Sequence, residues 1–229
     1  TVQPWGPPVR PTYGLCPRNV PVGYYSTLEG KSGAILRQAI QDIISNPNIV
    51  RVQNYGDAYN VLKDADQNPE NSGQVWMIYD EQPISKIDYQ TDNSIIGKWN
   101  REHIYCQSRL GIPSTFIPNA IPDGINAWRL TTGSSDIDAS HDDTHHLRAV
   151  GGQENSTRNN RNYGVDYNGP SGNIGSWRGD VARAIFFMAI RYSTLNVVNG
   201  DPASSPTGQI GDLATLLSWN ALDPADDFE

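Results

Sequence analysis

The chain has 229 residues, of which 37% are hydrophobic, enough for one domain with a core of its own. Its formal charge of -8 argues against a uniformly basic nucleic-acid-binding protein, because Lys and Arg contacts to phosphates supply most non-specific affinity. No apolar run approaches the ~20 residues of a membrane span, so we expect no membrane partner.

The N-terminal region differs in composition from the rest of the chain. Residues 1–23 are rich in Pro, Gly and aromatic residues without periodicity, and we interpret them as an arm preceding a single domain at 24–229. The chain begins at Thr1, without Met or a signal-like segment, which favours a secreted protein whose signal peptide has been removed. In such a protein Cys16 and Cys106 form either a disulfide or two reduced thiols.

The spacing of apolar residues predicts an α+β fold, mainly helical with short strands. Helices are predicted at 27–45, 59–65, 153–160, 181–190 and 212–222. Short strands are predicted at 75–79, 84–87, 95–105 and 144–150. The interval 107–140 contains three prolines and is long for a loop in a compact domain, which predicts a functional excursion such as a substrate-facing flap.

Ligand-type side chains are densest between Trp99 and Asn160. This segment opens with WNREH (99–103), continues with DTHHLR (143–148) and closes with NSTRNN (155–160). Hydrolysis of a phosphodiester needs a base that deprotonates water and a cation that stabilises the transition-state charge. His suits the first role at neutral pH, and Mg²⁺ held by a few protein oxygens suits the second. We therefore interpret the segment as a metal-dependent nuclease centre.

The charge distribution is compatible with this interpretation. Residues 96–192 carry ten Lys and Arg against nine Asp and Glu, whereas the rest of the chain carries seven against sixteen. The acidic excess therefore lies outside the candidate site. Neighbours in a strand point to opposite faces, so Glu102 and His103 can share a site only if the strand bends at its end. A helix after the second strand can then present Asn155 opposite Glu102.

Together these motifs resemble the bacterial endonuclease I and extracellular nuclease family, whose site is a ββα-metal (HNH-like) motif. Further segments with the same resemblance lie at 24–33, 178–183 and 213–219. The resemblance implies a ββα-metal core at about 96–163 and a monomeric endonuclease. Its expected substrate is DNA, with RNA as a further candidate, cleaved with little sequence preference.

The same resemblance implies individual roles. His103 is expected to be the general base, Glu102 and Asn155 to bind Mg²⁺ (or Mn²⁺ or Ca²⁺), Arg158 to assist catalysis and Asn160 to belong to the supporting helix. The chain departs from the family pattern next to the site. Ala149 stands where relatives often have Pro, and Gly151 and Gly152 replace bulkier residues, so the turn into the helix is expected to differ.

Other roles remain open for the central residues. Glu102 could pair with Arg101 or Arg148, His103 could be a hydrogen-bonded core histidine, and Asn155 could cap its helix.

A second rank of candidate residues is predicted either to support the site or to bind phosphates. It comprises Arg101, Asp143, His145, His146, Arg148, Asn160 and Arg178. A strand directs His145 and His146 to opposite faces, so only one of them can face the site. At least one of Asp143, His145 and His146 is therefore expected to have a structural role. Several arginines could clamp phosphates or form ordinary ion pairs. They are Arg148, Arg158, Arg161 and Arg178.

Two alternative functions use the same segment. His141, His145 and His146 could form a zinc site of a hydrolase or of a structural centre, although the chain lacks an HExxH glutamate. A non-catalytic nucleic-acid-binding relative is the second alternative.

Overall fold

The computed structural model describes residues 22–46, 54–110, 140–226 and 228. It contains helices and small two-stranded sheets, which confirms the α+β class. The helices are α1 (Gly33–Ile44), α2 (Tyr55–Ala65), α3 (Gly152–Arg158), α4 (Arg178–Arg191) and α5 (Leu213–Leu222). The strands are β1 (Gln74–Met77), β2 (Gln82–Ser85), β3 (Trp99–His103), β4 (Leu147–Gly151), β5 (Asn196–Val197) and β6 (Gln209–Ile210).

Helix α2 begins four residues earlier than its apolar pattern predicts, because its first turn is fixed by polar capping. The side chain of Asn54 accepts a hydrogen bond from the Asp57 N–H (2.9 Å), and the Asp57 carboxylate accepts one from the Asn54 N–H (3.1 Å). This capping box places Tyr55 at the first helical position, beside the end of β3.

Strands β3 and β4 pair antiparallel, with a register from Trp99 opposite Gly151 to His103 opposite Leu147. Helix α3 follows β4 directly and packs on both strands. One prediction is corrected here: β4 begins at Leu147 and not at residue 144, because Thr144–His146 forms a 3-10 turn. Asp143 accepts a hydrogen bond from the His145 N–H (3.1 Å) at the start of this turn and so competes with strand pairing.

The two glycines at the β4–α3 junction are required by close packing. A Cβ at Gly151 would lie 2.9 Å from both carboxylate oxygens of Asp80, and one at Gly152 would lie 2.9 Å from the Ile95 carbonyl oxygen. The Asp80 carboxylate also accepts the Gly151 N–H (3.0 Å). The chain therefore enters α3 through a turn that larger residues would displace.

The buried hydrophobic residues form two clusters, and the β3–β4 pair lies between them. The larger cluster surrounds α4 and packs it against α5, while the smaller one joins α2 to β3 and β4 through residues such as Leu62 and Trp99. This confirms the prediction that 181–190 belongs to a buried helix, although α4 begins earlier, at Arg178. In the described parts of the chain, every helix is too short or too polar to cross a bilayer.

Two sequence predictions fall largely outside the described residues. Cys106 is buried with its Sγ 3.9 Å from the Arg161 carbonyl oxygen, but Cys16, the other cysteine of the possible disulfide, is not among the described residues. Of the predicted excursion at 107–140, only the 3-10 turn Gln107–Arg109, Leu110 and Ser140 are described.

Candidate active site

A cleft of about 490 Å³ opens where the end of β3 meets α3 and the start of α2. Glu102, His103 and Asn155 all line this cleft, so the structure brings the three central residues of the sequence prediction together. Two further clefts share lining residues with it. A cleft of about 390 Å³ shares Arg101 with it, and another of about 550 Å³ shares Asn160.

Glu102 is almost fully buried, at 2% exposure, and its carboxylate is held by two partners. The Tyr79 hydroxyl donates a hydrogen bond to Oε1 (2.7 Å), and Nη1 of Arg158 lies 3.3 Å from the same oxygen. The Tyr163 hydroxyl lies 2.6 Å from that of Tyr79 and extends the network. Burial raises the pKa of Glu102, and the Arg158 charge and the Tyr79 hydrogen bond oppose that rise.

His103 is oriented by a backbone carbonyl. Its Nε2 lies 3.0 Å from the His141 carbonyl oxygen, which can only accept, so Nε2 carries the proton. In the neutral ring Nδ1 is therefore an unprotonated base, and the described residues provide no hydrogen bond to it. Burial, followed by the charges of His141 and His146, lowers the pKa of His103 well below its usual value and keeps the ring neutral.

Asn155 presents its amide in a defined orientation from the middle of α3. Its Nδ2 donates to the Asn100 side-chain oxygen (2.7 Å) and approaches the Arg101 carbonyl oxygen (3.3 Å). Both partners are acceptors, so Nδ2 is engaged and Oδ1 is left without a partner among the described residues. Asn155 lies within α3, three residues before its last residue, which excludes the helix-capping alternative.

Arg158 is buried beneath the end of β3, at 1% exposure. Its Nη1 donates to the His103 carbonyl (3.0 Å) and its Nη2 to the Ile104 carbonyl (2.8 Å). Together with the contact to Glu102, these bonds fix the backbone on which both site residues sit. The guanidinium is thus directed at the protein interior.

His145 and His146 bond to a neighbouring acid or to the backbone. The Nδ1 of His145 lies 2.7 Å from the Asp143 carboxylate, and the His145 side chain is 63% exposed. His146 is fully buried: its Nδ1 accepts the Tyr105 N–H (3.3 Å), and its Nε2 donates to the Ser140 carbonyl (2.8 Å). The two histidines thus lie in different environments, but a 3-10 turn and not the predicted strand separates them.

Asp143 connects this turn to α4. It accepts hydrogen bonds from the Tyr192 hydroxyl (2.9 Å) and lies 3.1 Å from Nε of Arg191. Burial alone would raise its pKa, but the hydrogen bond and charge of His145 and the charge of Arg191 lower the pKa well below its usual range. Asp143 therefore has a structural role, because it connects the turn to α4 and to Tyr192.

The three histidines of the zinc alternative do not converge. His141 Nδ1 lies 2.7 Å from the Asp142 carboxylate, and the ring packs against His103, while His145 is exposed and His146 is buried. Across the described ranges, no three His, Cys, Asp or Glu side chains are grouped so that they could hold a metal ion. The pair of Glu102 and Asn155 combines a carboxylate with an amide and is a different kind of donor set.

The second-rank residues divide according to their distance from the cleft. Arg101 lines it, with its guanidinium carbon 3.5 Å from the Tyr55 ring centroid and a hydrogen bond to the Tyr55 carbonyl. Asn160 also lines it, while its backbone carbonyl accepts a hydrogen bond from Arg109 (2.7 Å). These two residues remain available to a substrate in the cleft.

Arg148 and Arg178 lie elsewhere. The Nε of Arg148 is 3.9 Å from the Asp66 carboxylate, and Arg178 at the start of α4 donates to the Asn168 side-chain oxygen (2.9 Å). Neither residue lines the cleft around Glu102 and His103. The ion-pair or hydrogen-bonding alternative is thus the one that their surroundings favour.

Sequence reasoning missed the residues that orient the site. Tyr79 was predicted only as part of a buried strand, and Tyr163 and Asn100 were given no role. A buried Tyr needs a partner for its hydroxyl, and Asn is disfavoured within strands. The positions of Tyr79 and Asn100 therefore weakly indicated that each side chain has a specific hydrogen-bonding role. Their partners are 23 and 55 residues away in the chain, and periodicity does not identify them.

Comparison with known proteins gives a consistent result. The family described as Endonuclease I matches residues 32–175, a range that contains the whole cleft from Tyr55 to Asn160. The extracellular ribonucleases of Bacillus amyloliquefaciens and Bacillus subtilis (strain 168) are each 31% identical over 226 residues, covering 90% of this chain and 68% of the relative. No solved structure matches the chain significantly.

Proposed function

Because the chain belongs to the endonuclease I family and is therefore a phosphodiester-hydrolysing enzyme, we propose that it is a secreted, divalent-metal-dependent endonuclease that cleaves DNA and RNA with little sequence preference. The observation that carries this proposal is the convergence of Glu102, His103 and Asn155 on one cleft. The relatives named extracellular ribonucleases support secretion and an RNA substrate. The strand–strand–helix order of β3, β4 and α3 supports assignment to the ββα-metal class, in a single monomeric domain.

His103 is proposed as the general base. Its Nδ1 is unprotonated because Nε2–H is directed at the His141 carbonyl, and its lowered pKa keeps it so at neutral pH. A water molecule attacking the phosphorus would give its proton to Nδ1. Because the nucleophile is water and not the ribose 2′-hydroxyl, this chemistry applies equally to DNA and RNA.

Glu102 and Asn155 are proposed to hold the cation. Their oxygens form a hard donor set that fits Mg²⁺, with Mn²⁺ or Ca²⁺ as substitutes, and the Asn155 Oδ1 has no partner among the described residues. A divalent ion bound there would neutralise charge on the phosphate and on the leaving oxygen. Tyr79 and Arg158 orient the Glu102 carboxylate, so we assign Arg158 a positioning role and not direct contact with substrate.

The neighbouring clefts are proposed to hold the polynucleotide on both sides of the scissile bond. One is lined by Tyr89 and Arg101, and the other by Asn160 and Arg161. A groove that extends in both directions suits cleavage within a chain and not only at its end. Arg and amide side chains can contact phosphates without reading the base sequence.

The test is cleavage of a single-stranded RNA and its DNA counterpart of the same sequence, each with Mg²⁺ or with EDTA. We expect both to be cleaved at internal positions, EDTA to abolish cleavage, and His103→Ala to slow both reactions by the same factor. The matched control is His145→Ala, which removes an exposed imidazole outside the cleft. Loss of only the RNA activity in the His103 variant would show that the 2′-hydroxyl is the nucleophile and would refute the mechanism.

A further inference from the structure

Three side-chain amides form a directional chain that ends at the cleft. Gln90 Nε2 donates to the Asp92 carbonyl (2.8 Å), and Gln90 Oε1 accepts from Asn100 Nδ2 (2.7 Å). Asn100 Oδ1 in turn accepts from Asn155 Nδ2 (2.7 Å). Gln90 and Asn100 each use the nitrogen toward one neighbour and the oxygen toward the other, whereas Asn155 uses only its nitrogen.

The direction of this chain is fixed at both ends by backbone carbonyls, which can only accept. At one end the Asp92 carbonyl requires the nitrogen of Gln90, so the oxygen of Gln90 faces Asn100. At the other end the Arg101 carbonyl lies 3.3 Å from Asn155 Nδ2 and also requires a nitrogen. Reversing any one amide would set two NH₂ groups or two oxygens against each other and would leave these groups without a hydrogen-bond partner.

The chain is also held in place by the backbone. The Gln90 N–H donates to the Trp99 carbonyl (2.9 Å), which fixes Gln90 beside β3, and Asn100 is locked in the β3–β4 register opposite Val150. Gln90 and Asn100 therefore occupy fixed positions from which Asn155 is oriented. The consequence is that Asn155 turns its oxygen, and not its NH₂ group, away from Asn100.

We propose that Asn100, supported by Gln90, is a positioning residue that sets the orientation of the Asn155 amide and thereby presents its oxygen to the divalent ion. The inference rests on the proposed function, since it assumes that Asn155 binds the ion. An Asn155 free to rotate would spend part of its time with NH₂ facing the cation, and its affinity for the ion would fall. Residues that orient a metal ligand typically contribute 10- to 100-fold to affinity.

The experiment measures Mn²⁺ dissociation constants of the full chain by electron paramagnetic resonance. Asn100→Leu removes both hydrogen bonds, and we expect Mn²⁺ affinity to fall about tenfold. Asn100→Asp keeps an acceptor for Asn155 Nδ2 and loses only the donor to Gln90 Oε1, so its affinity should fall by no more than about threefold. The matched control is Asn199→Leu, which removes an exposed amide that lines none of these clefts and should leave affinity unchanged.

A kinetic readout separates positioning from general damage. For Asn100→Leu the Mg²⁺ concentration giving half-maximal cleavage should rise about tenfold, while kcat at saturating Mg²⁺ stays within a few-fold. If Asn100→Leu does not fold, Gln90→Leu serves instead, because it removes the anchor of Asn100 and should weaken Mn²⁺ binding about threefold. Equal Mn²⁺ affinity in the substituted and unmodified chains, or equal losses in Asn100→Leu and Asn100→Asp, would overturn the inference.

Two reference variants distinguish failure of this inference from failure of the proposed function. If Glu102→Gln and Asn155→Leu leave Mn²⁺ binding unchanged, the ion lies elsewhere and the proposed function is wrong. If both weaken binding while Asn100→Leu does not, the ion site stands and only the positioning role of Asn100 is rejected.

Discussion

Two parts of the central segment are similarly rich in acid, amide and histidine side chains, yet they differ in what those side chains leave free. In the cleft, the Nδ1 of His103 and the Oδ1 of Asn155 have no partner among the described residues. In the second part, around the Thr144–His146 turn, His146 uses both ring nitrogens, and Asp143 bonds to His145, Tyr192 and Arg191. The cleft is thus distinguished by polar atoms without a protein partner among the described residues, whereas His146 and Asp143 use theirs within the protein.

The largest expected effect follows from removing the open base. His103→Ala should lower kcat/KM by about 10³-fold, within the 10²- to 10⁴-fold range of general-base catalysis. His145→Ala, in the other region, should change kcat/KM by less than about threefold. Initial rates on a plasmid substrate measure both, and similar losses in the two variants would remove the distinction between the regions.

Next in size is the effect of unpairing the buried carboxylate. Arg158→Met should reduce the free energy of unfolding by about 3–5 kcal/mol, because the buried Glu102 carboxylate would lose the guanidinium charge that pairs with it. Arg148→Met should cost at most about 1 kcal/mol, since Arg148 is only partly buried and lies 3.9 Å from Asp66. Urea unfolding at pH 7 without metal compares the two variants. A loss of stability below 1 kcal/mol for Arg158→Met would show that the Arg158 charge does not stabilise the buried Glu102 carboxylate.

The structural role of His146 predicts a dependence of stability on pH. Burial, the first cause, lowers the pKa of His146 from 6.5 to about 4, so between these values the unfolded chain binds more protons than the folded one. The stabilisation is fully present above pH 6.5 and is lost as the pH falls to about 4, amounting to about 3 kcal/mol. His146→Asn should lose less stability than the unmodified chain between pH 7 and pH 4. Parallel urea titrations at the two pH values test this, and an identical loss in both proteins would contradict it.

The smallest predicted effect concerns the hydrogen bond to Glu102. Tyr79→Phe removes one donor to the carboxylate but leaves the ring packed, so Mg²⁺ affinity should fall about tenfold while the fold is retained. Tyr192→Phe is the counterpart in the other region, where the hydroxyl donates to Asp143, and it should leave Mg²⁺ affinity unchanged. The Mg²⁺ dependence of the cleavage rate measures both. A tenfold loss of Mg²⁺ affinity in the Tyr192 variant would show that the two regions are energetically coupled and would contradict the prediction.

Local periodicity predicted most elements because it reports burial within a segment. The apolar pattern of 181–190 placed α4 in the core, and the pattern of 212–222 agrees closely with α5. The errors arose where hydrogen bonds from polar side chains determine the local backbone conformation. Asn54 and Asp57 start α2 before its apolar pattern begins, and Asp143 holds residues 144–146 in a turn and out of β4.

The candidate site was predictable in its ligand-type residues but not in their supports. Glu102, His103 and Asn155 belong to dense local motifs, whereas Tyr79 reaches Glu102 from the β1–β2 connection. His141 orients His103 through its backbone carbonyl and not through its ring. This contact could not be predicted from the sequence, because every residue has a carbonyl group. Such supports depend on tertiary packing between distant segments.

Crystals soaked in Mn²⁺ and measured for anomalous scattering at the manganese absorption edge test the central claim most directly, because they locate the ion without reference to activity. The account predicts one strong peak within coordination distance of a Glu102 carboxylate oxygen and the Asn155 Oδ1, beside the Nδ1 of His103. A peak coordinated instead by His141, His145 or His146, with none at Glu102, would contradict it.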